Sequence, residues 1–298
     1  MANRRLIGYY NNGNYTVRLY DDGSKIKLSQ QDEFVADFPD SIDLKITDRC
    51  DMGCPMCHEC SSPDGLHGDI SLPLLKDLHA GTELAIGGGN PLSHPKLERL
   101  LRQMKMQGVI CNITVNERHF LKNIPLIKGY MDEKLVWGLG ISINGCLDKT
   151  LDFAMQNPNT VLHCICGIIN ENTALKLYDK NLKILLLGYK DFGRGKAYHS
   201  ADIDKNIEWL KDNITEFANR FSVVSFDNLA LSQLDMRKKV PPSVFEKCYM
   251  GDEGTASMYI DLVKEKFAVG STSQKRFPLE NVTLIQAFET VKQQAAKL

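Results

Sequence analysis

Residues 47–57 read TDRCDMGCPMC and carry three cysteines in the spacing Cys50-x3-Cys54-x2-Cys57. The stretch follows residues 42–46, where apolar and polar residues alternate and so predict a β-strand. Three thiols on one short loop can converge on a single inorganic centre. This stretch therefore decides where a functional site is sought and which fold has to support it.

Zinc is the first kind of centre to consider for these cysteines. A structural zinc site normally takes four ligands in two separated pairs. Cys164 and Cys166 form a close pair downstream, but they fall inside a predicted strand, which indicates core residues. His58 and Cys60 could complete a site within the loop, although so tight a loop would strain tetrahedral closure.

A 4Fe–4S cluster fits the three cysteines better than zinc does. Cysteine thiolates are the usual ligands of such clusters. Cys50, Cys54 and Cys57 would hold three irons and leave the fourth open to the amine and carboxylate of a ligand. A chance group of buried cysteines is the remaining interpretation.

The composition limits the class of protein. The chain has 298 residues, enough for one large domain or two modest ones. Apolar residues make up 43%, and 36 basic against 37 acidic residues give a formal net charge of −1, which does not favour broad binding to nucleic acid or lipid. No apolar run approaches the roughly 20 residues of a membrane span, and the N-terminus lacks a secretory apolar region. We expect a cytoplasmic protein, where disulfides are rare and nine cysteines need another reason.

Residues 1–40 are predicted to form an N-terminal antiparallel β meander. Three β-forming stretches, 6–10, 15–20 and 25–28, are separated by Asn-Gly and Asp-Gly turn signals. The meander could dock a peptide along an exposed strand edge, or it could simply cap the domain that follows.

Residues 41–230 alternate between predicted strands and helices. Six strands, with a possible seventh at 223–226, are separated by helical stretches. This alternation predicts an α/β fold with a parallel sheet, curled by right-handed crossovers into a partial (β/α)6 TIM-like barrel. The cysteines, the glycines at 87–89 and several polar segments all follow predicted strand ends, where such sheets bind ligands.

Residues 231–298 are predicted to form a C-terminal extension. It contains a candidate β-hairpin at 257–269 and a closing helix near 281–296. Cys248 is the one cysteine after residue 166, so we do not expect an auxiliary iron–sulfur cluster in this extension.

The cysteine spacing resembles that of the radical S-adenosylmethionine (radical SAM) superfamily. In that family three such cysteines bind one 4Fe–4S cluster, and the cosubstrate S-adenosyl-L-methionine binds the open iron. The resemblance implies that Cys50, Cys54 and Cys57 are the metal ligands and that Met56 lies near the adenine of the cosubstrate. It covers roughly residues 41–230.

A second match is the stretch IGGGNPL at 86–92. It resembles the family motif Gly-Gly-Glu-Pro, which receives the methionine amino group, and implies that Gly87, Gly88, Gly89 and Asn90 bind the cosubstrate. Glycine lets the backbone approach a ligand closely. Asn90 stands where glutamate is common, and its amide can accept a hydrogen bond from an ammonium group without supplying a charge. Either the affinity for the cosubstrate is slightly lower, or another carboxylate helps to bind its amino group.

Positional matches follow the later strands. The resemblance implies that Ser142 and Asn144 lie near the ribose hydroxyls and the methionine carboxylate. It also implies that the backbone near Ile168 and Gly188 meets the adenine. A polar strand end that caps the next helix is the alternative for the two polar residues.

Four residues near predicted strand ends are candidate catalytic residues on the substrate side: Arg194, Tyr189, Lys190 and Asn116. Arg194 suits the recognition of a carboxylate or phosphate. Asn116 could equally cap a helix, and the loop that holds the other three could be a solvated connection. Lys45, within the first strand of the predicted barrel, would need a partner inside it.

The resemblance also implies the chemistry. A reduced cluster passes one electron to the sulfonium of the cosubstrate, and the resulting 5′-deoxyadenosyl radical abstracts hydrogen from a substrate. The electron would come from a flavodoxin- or ferredoxin-like donor.

Three hypotheses about the function follow. The favoured one is an enzyme for a small metabolite or nucleoside-like substrate, because no extra cluster is expected. The others are a modifier of a peptide or protein side chain and a non-enzymatic metal or iron–sulfur binding protein.

Overall fold

The computed structural model describes residues 4–145 and 147–297. The strands of these ranges are β1 (Leu6–Asn12), β2 (Tyr15–Tyr20), β3 (Lys25–Ser29), β4 (Ser41–Thr47), β5 (Glu83–Gly88), β6 (Ile110–Asn116), β7 (Gly138–Ser142), β8 (Thr160–Ile165), β9 (Lys183–Leu187), β10 (Val223–Phe226), β11 (Ser257–Asp261), β12 (Lys266–Ala268) and β13 (Phe277–Pro278). The α-helices are α1 (Leu97–Met106), α2 (Glu117–Lys122), α3 (Ile124–Asp132), α4 (Asp148–Gln156), α5 (Glu171–Leu177), α6 (Arg194–Tyr198), α7 (Ala201–Asn219), α8 (Asn228–Gln233), α9 (Met236–Lys239), α10 (Pro242–Cys248) and α11 (Leu284–Ala295). Short 3-10 helices lie at Pro73–Lys76 and Pro91–Ser93.

The large sheet is mostly parallel. Its strand order is β10-β9-β8-β7-β6-β5-β4-β11-β12-β13, and β4 to β10 run parallel in chain order. The mixed α/β class and the seventh strand at Val223–Phe226 are therefore confirmed. Strand β10 is an edge strand of this sheet, and β4 lies between β5 and β11. Curling of the sheet into a partial (β/α)6 barrel stays a prediction.

The C-terminal hairpin is part of the same sheet. Strands β11 and β12 pair antiparallel, as the sequence predicts, and β13 adds to β12. Strand β11 also pairs parallel with β4, Tyr259 opposite Asp43 and Asp261 opposite Lys45. This pairing could not be predicted from either segment alone, because it joins segments more than 200 residues apart.

The two faces of the large sheet differ in burial. In β5, Leu84 and Ile86 are fully buried, whereas Ala85 between them is exposed. Asp43 in β4 is likewise exposed between buried neighbours. The apolar face packs under the helices, so the other face is the accessible one.

The meander forms a separate antiparallel sheet, β1-β2-β3, as its turn signals predict. It lies against the amino ends of the parallel strands. Lys25 pairs with Glu83, the first residue of β5, at 2.9 Å. Lys183, the first residue of β9, donates to the carbonyl of Asp22 at 3.1 Å. The meander thus covers the end of the sheet opposite the cysteines.

Short helices account for most differences from the sequence expectation. The helical stretch that the sequence predicts after β6, near residues 118–129, is divided into α2 and α3, because Pro125 lies in the first turn of α3 and starts a new helix there. Helix α6 and helices α8 to α10 were not expected. No helix within the described ranges is long and apolar enough to cross a membrane.

Candidate active site

The cysteines lie on a loop that leaves and rejoins the carboxyl end of β4. We name residues 48–67 the cysteine loop. The N–H of Asp48 donates to the carbonyl of Leu66, and the N–H of Gly68 donates to the carbonyl of Ile46, both at 2.8 Å. A bridge between Thr47 and His67 completes the closure. The loop is therefore long but closed at its base.

The three motif thiols are partly exposed and form no disulfide. In the described residues, the group of possible metal ligands within 4.8 Å of one another is Cys50, Asp51 and His119. The sulfurs of Cys54 and Cys57 do not join it. A single zinc ion with Zn–S bonds of about 2.3 Å needs its sulfurs about 4 Å apart. The three motif sulfurs do not all lie within 4.8 Å of one another. Soft thiolate donors at this wider spacing fit a polynuclear iron–sulfur cluster better than a single zinc ion.

Of the two extra zinc ligands offered by the sequence, His58 contacts other side chains and Cys60 is exposed. The Nε2 atom of His58 lies 3.2 Å from Nζ of Lys190 and 3.5 Å from a carboxylate oxygen of Glu59. Burial lowers the pKa of His58. Cys60 is exposed and has a φ of 54°.

Asp51 connects the cysteine loop to α2. Its carboxylate lies 2.5 Å from Nε2 of His119, which is almost fully buried. The hydrogen bond with His119 lowers the pKa of Asp51. This contact fixes the side of the loop that carries Cys50.

Arg194 holds the cysteine loop through hydrogen bonds to its backbone, and we call these contacts the clamp. Its N–H donates to the carbonyl of Cys57 at 3.2 Å. Its guanidinium donates from Nε to the carbonyl of Cys54 at 3.1 Å and from Nη1 to that of Ser61 at 3.0 Å. Arg194 follows β9, whereas the cysteine loop follows β4, and four strands lie between β9 and β4 in the order of the sheet. The contact therefore joins two segments that are distant in that order. The sequence suggested that Arg194 recognises the substrate. In the structure its guanidinium instead donates hydrogen bonds to the backbone of the cysteine loop.

The turn around Arg194 requires glycine on both sides. Gly193 has a φ of 58°, and a Cβ there would lie 2.3 Å from the carbonyl oxygen of His58. A Cβ on Gly195 would lie 2.3 Å from the carbonyl oxygen of Lys190 and 3.4 Å from that of Met56. This close approach brings the turn onto the cysteine loop.

Tyr189 and Lys190 support this turn. Tyr189 is buried, and its hydroxyl donates to the carbonyl of Gly195 at 2.6 Å. Its backbone exchanges hydrogen bonds with the side chain of Gln233. Lys190 donates to the hydroxyl of Ser271 at 2.9 Å. Tyr189 thus holds the turn in place, whereas the Lys190 side chain contacts Ser271 and His58. A substrate role for the two residues stays a prediction.

The three glycines at 87–89 have different surroundings. A Cβ on Gly88 would lie 2.4 Å from the carbonyl oxygen of Thr47, and one on Gly89 would lie 2.4 Å from that of Arg49. A Cβ on Gly87 would meet nothing within 4 Å. Two glycines thus allow β5 to pack against the start of the cysteine loop, and Gly87 leaves open space for a ligand.

Asn90 both braces the loop and caps a turn. Its N–H donates to the carbonyl of Arg49 at 2.7 Å. Its side-chain oxygen accepts from the N–H of Leu92 at 3.2 Å. The amide oxygen that the resemblance assigns to the cosubstrate is therefore partly engaged.

Polar residues at the ends of three neighbouring strands lie side by side. Asn116 in β6 is opposite Ser142 in β7, and Ser142 is opposite His163 in β8. Burial lowers the pKa of His163 to about 4, so the ring is neutral at pH 7. His163 was not singled out in the sequence. The signal available in the sequence was its position between Leu162 and Cys164, since alternation in a strand places His163 on the face opposite these two buried residues.

A buried glutamate holds the loop after β7. Glu117 accepts hydrogen bonds from the N–H groups of Asn144, Gly145 and Leu147 at 2.8–3.0 Å. Burial alone would raise the pKa of Glu117, but these N–H groups lower it overall. Asn144 is exposed, so its side chain remains accessible.

Asn116 caps a helix and also reaches a cysteine. Its Oδ1 accepts from the N–H of Arg118 at 3.0 Å, and its Nδ2 donates to Sγ of Cys54 at 3.9 Å. The two residues that the resemblance implies lie near the adenine, Ile168 and Gly188, are less open than Asn144. A Cβ on buried Gly188 would lie 2.3 Å from Leu229, and Ile168 is half-buried.

Lys45 is the centre of a buried ion network that the sequence only hinted at. Its side chain is 2% exposed, and Nζ lies 2.6 Å from Asp48, 2.6 Å from Glu59 and 3.3 Å from Asp261. Burial alone would lower the pKa of Lys45, but these carboxylates raise it overall. The network joins β4, the cysteine loop and β11.

Sequence comparison finds no matching family model and no matching curated protein. Solved structures of Streptococcus suis SuiB do match. The complex with precursor peptide SuiA is 14% identical, with a TM-score of 0.60, covering 89% of this chain and 68% of SuiB. The complex with S-adenosylmethionine is 14% identical, with a TM-score of 0.60, over 88% and 68%. A further SuiB structure is 12% identical, with a TM-score of 0.61, over 99% and 91%. The chain therefore has the same fold as SuiB.

Proposed function

We propose that the protein is a radical SAM enzyme that modifies a peptide or protein side chain. Cys50, Cys54 and Cys57 would hold one 4Fe–4S cluster, with S-adenosyl-L-methionine as cosubstrate. The observation that carries the proposal is three partly exposed thiols on a closed, clamped loop beside the open space at Gly87. A SuiB structure with S-adenosylmethionine bound has the same fold.

The residues of the chain would position the reaction. When bound, the cluster supplies the electron that cleaves S-adenosylmethionine to a 5′-deoxyadenosyl radical. Arg194 would hold the cysteine loop over the sheet, and Gly87 would leave room for the methionine end of the cosubstrate. Asn90, Ser142 and Asn144 would supply its polar contacts.

A peptide is the favoured substrate class. The support is that a SuiB structure of this fold holds its precursor peptide. The accessible sheet face, with Asp43, Ala85 and half-buried Thr114, would meet the side chain that is modified. A small metabolite or nucleoside-like substrate is the second candidate, favoured because Cys248 is the one cysteine after residue 166, too few for a further cluster in the C-terminal extension.

The first experiment tests the class of reaction. The protein is reconstituted with iron and sulfide without oxygen, reduced and mixed with S-adenosylmethionine, and 5′-deoxyadenosine is measured by mass spectrometry. The wild type is expected to give product and Cys54→Ala none. Cys60→Ala is the matched control, since Cys60 is on the same loop but outside the motif, and it should retain activity. Zinc bound in place of any cluster would overturn the proposal.

A second experiment separates the substrate classes. Peptide and small-metabolite fractions from cells grown in deuterium oxide are offered to the reconstituted enzyme. Deuterium in 5′-deoxyadenosine reports hydrogen abstraction from the fraction that holds the substrate. Label from the peptide fraction alone is expected, and label from the metabolite fraction alone would favour the second candidate.

We also propose an acidic flavodoxin- or ferredoxin-like electron donor. Arg49 of the cysteine loop and Arg118 and Lys122 of the neighbouring α2 are exposed basic residues. Opposite charge steers such encounters, and salt weakens the steering. Arg118→Glu with Lys122→Glu should slow reduction by flavodoxin several-fold at low salt. Lys239→Glu on α9 is the control, and equal rates for all three proteins would contradict this docking.

A further inference from the structure

We propose that Asn116 is a positioning residue for the cluster, whose side-chain N–H hydrogen bonds the Cys54 sulfur and raises the reduction potential of the cluster. The inference rests on the proposed function, because it requires an iron–sulfur cluster at Cys54. It replaces the substrate-side role suggested for Asn116 by its position after a strand.

The geometry of the amide fixes which end meets the sulfur. Nδ2 of Asn116 lies 3.9 Å from Sγ of Cys54, and Oδ1 accepts from the N–H of Arg118 at 3.0 Å. A flipped amide would put its NH2 group against the N–H of Arg118, two donors facing each other. The helix cap therefore keeps the N–H directed at Cys54.

Cys54 differs from the other two motif cysteines in this contact. Within residues 4–145 and 147–297, Asn116 is the side chain that donates to a motif sulfur. The carbonyl of Cys54 also receives the guanidinium of Arg194. Cys50, in contrast, is followed by the carboxylate of Asp51. A side-chain N–H donor and the positive charge of Arg194 thus meet at Cys54.

A hydrogen bond to a cluster sulfur acts on the two redox states unequally. One-electron reduction adds one negative charge, part of which resides on the thiolate ligands. An N–H directed at a thiolate stabilises the reduced state more than the oxidised state, and hydrogen bonds to sulfur are a recognised determinant of cluster potentials. Both side chains are half-buried, which strengthens the effect relative to water. The potential would then come within reach of a biological electron donor.

The test compares midpoint potentials of reconstituted variants, titrated with dithionite and followed by electron paramagnetic resonance. Asn116→Ser keeps a capping hydroxyl but is too short to reach the sulfur. Asn116→Asp keeps the capping oxygen and replaces the donor with a negative charge. Serine should reduce the equilibrium constant for one-electron reduction about tenfold, a shift of about 59 mV to lower potential. Aspartate should shift it further in the same direction.

Asn170 provides the matched control. It follows β8 and caps α5 through the N–H of Thr173 at 3.0 Å, without contacting a motif cysteine. Asn170→Ser should leave the potential unchanged. Wild-type potentials in both Asn116 variants would overturn the inference. Loss of the cluster from Asn116→Ser, with retention in Asn170→Ser, would also overturn it, since the residue would then be needed for assembly.

The outcomes separate this inference from the proposed function. A wild type that holds a reducible cluster but cleaves no S-adenosylmethionine ends the proposed function, and the potentials still decide the role of Asn116. Cleavage without any shift in the variants ends the role of Asn116 alone. A wild type that binds no cluster ends both.

Discussion

Three consecutive glycines show how a single residue type can serve two purposes at the scale of the residue. Gly88 and Gly89 permit contact between β5 and the cysteine loop, whereas Gly87 borders open space. The sequence identified the run and its neighbours. It could not separate these purposes, because the difference lies in which carbonyl stands opposite each Cα.

The first prediction uses this difference. Gly87→Ala should fold with nearly wild-type stability and bind S-adenosylmethionine at least tenfold more weakly, because its methyl group enters the ligand space. Gly89→Ala should lose about 1–3 kcal/mol of stability, because its Cβ would lie 2.4 Å from the carbonyl oxygen of Arg49. Thermal unfolding and titration calorimetry measure the two effects. Equal loss of stability in both variants would contradict the assignment.

The second prediction concerns Arg194. Arg194→Lys should bind clearly less iron after reconstitution, because an ammonium group cannot replace two directed guanidinium bonds to the carbonyls of Cys54 and Ser61. Each lost charged hydrogen bond costs about 1.5–3 kcal/mol. Iron and sulfide content per chain is the measurement. Arg102→Lys, on the exposed face of α1, is the control. Equal iron content in both variants would contradict the role of Arg194 in holding the cysteine loop.

At the scale of the element, one buried carboxylate in the connector between the meander and the large sheet holds several residues of the meander. Asp40 is 2% exposed and accepts from the hydroxyls of Tyr10 and Tyr15 while pairing with Lys27 at 2.7 Å. Burial alone would raise the pKa of Asp40, but Lys27 and the hydrogen bonds lower it overall. The charged form is thus the one that holds β1 to β3 in place.

The third prediction follows from the direction of that shift. A carboxyl whose pKa is lower in the folded state contributes stability above its unfolded pKa of about 3.9 and loses it as the pH falls through the folded value. Asp40→Asn should cost about 3–5 kcal/mol at pH 7, because it leaves Lys27 without its buried partner. The difference in thermal midpoint between wild type and variant should narrow below pH 4. A constant difference would mean that Asp40 is not charged in the folded state.

At the scale of the whole molecule, the meander and the sheet share one apolar core. Tyr10, Tyr15, Val17 and Leu19 of the meander belong to the same cluster of buried side chains as the parallel strands and α11. The meander covers the amino ends of the strands, and the cysteine loop leaves a carboxyl end. The stability of the site is therefore tied to a sheet at the opposite end of the molecule.

The fourth prediction tests this shared core. Val17→Ala should lower the denaturant midpoint seen by the fluorescence of Trp137 and Trp209, both outside the meander, because fully buried Val17 belongs to the common core. The expected loss is about 1–3 kcal/mol. Leu28→Ala, 44% exposed on β3, should change stability by less than about 0.5 kcal/mol. No shift of the tryptophan transition with Val17→Ala would mean that the meander unfolds by itself.

The sequence by itself determined the meander, the succession of parallel strands, the cysteine loop and the resemblance to the radical SAM superfamily. These features are local: Asn-Gly turns, alternation of apolar residues and a cysteine spacing are each contained within a few consecutive residues. Only the tertiary structure decided that β11 pairs with β4, that Arg194 clamps the cysteine loop and that Asn116 faces Cys54. Each of these contacts joins residues between 62 and more than 200 positions apart, and no pattern within one segment encodes which distant segment will face it.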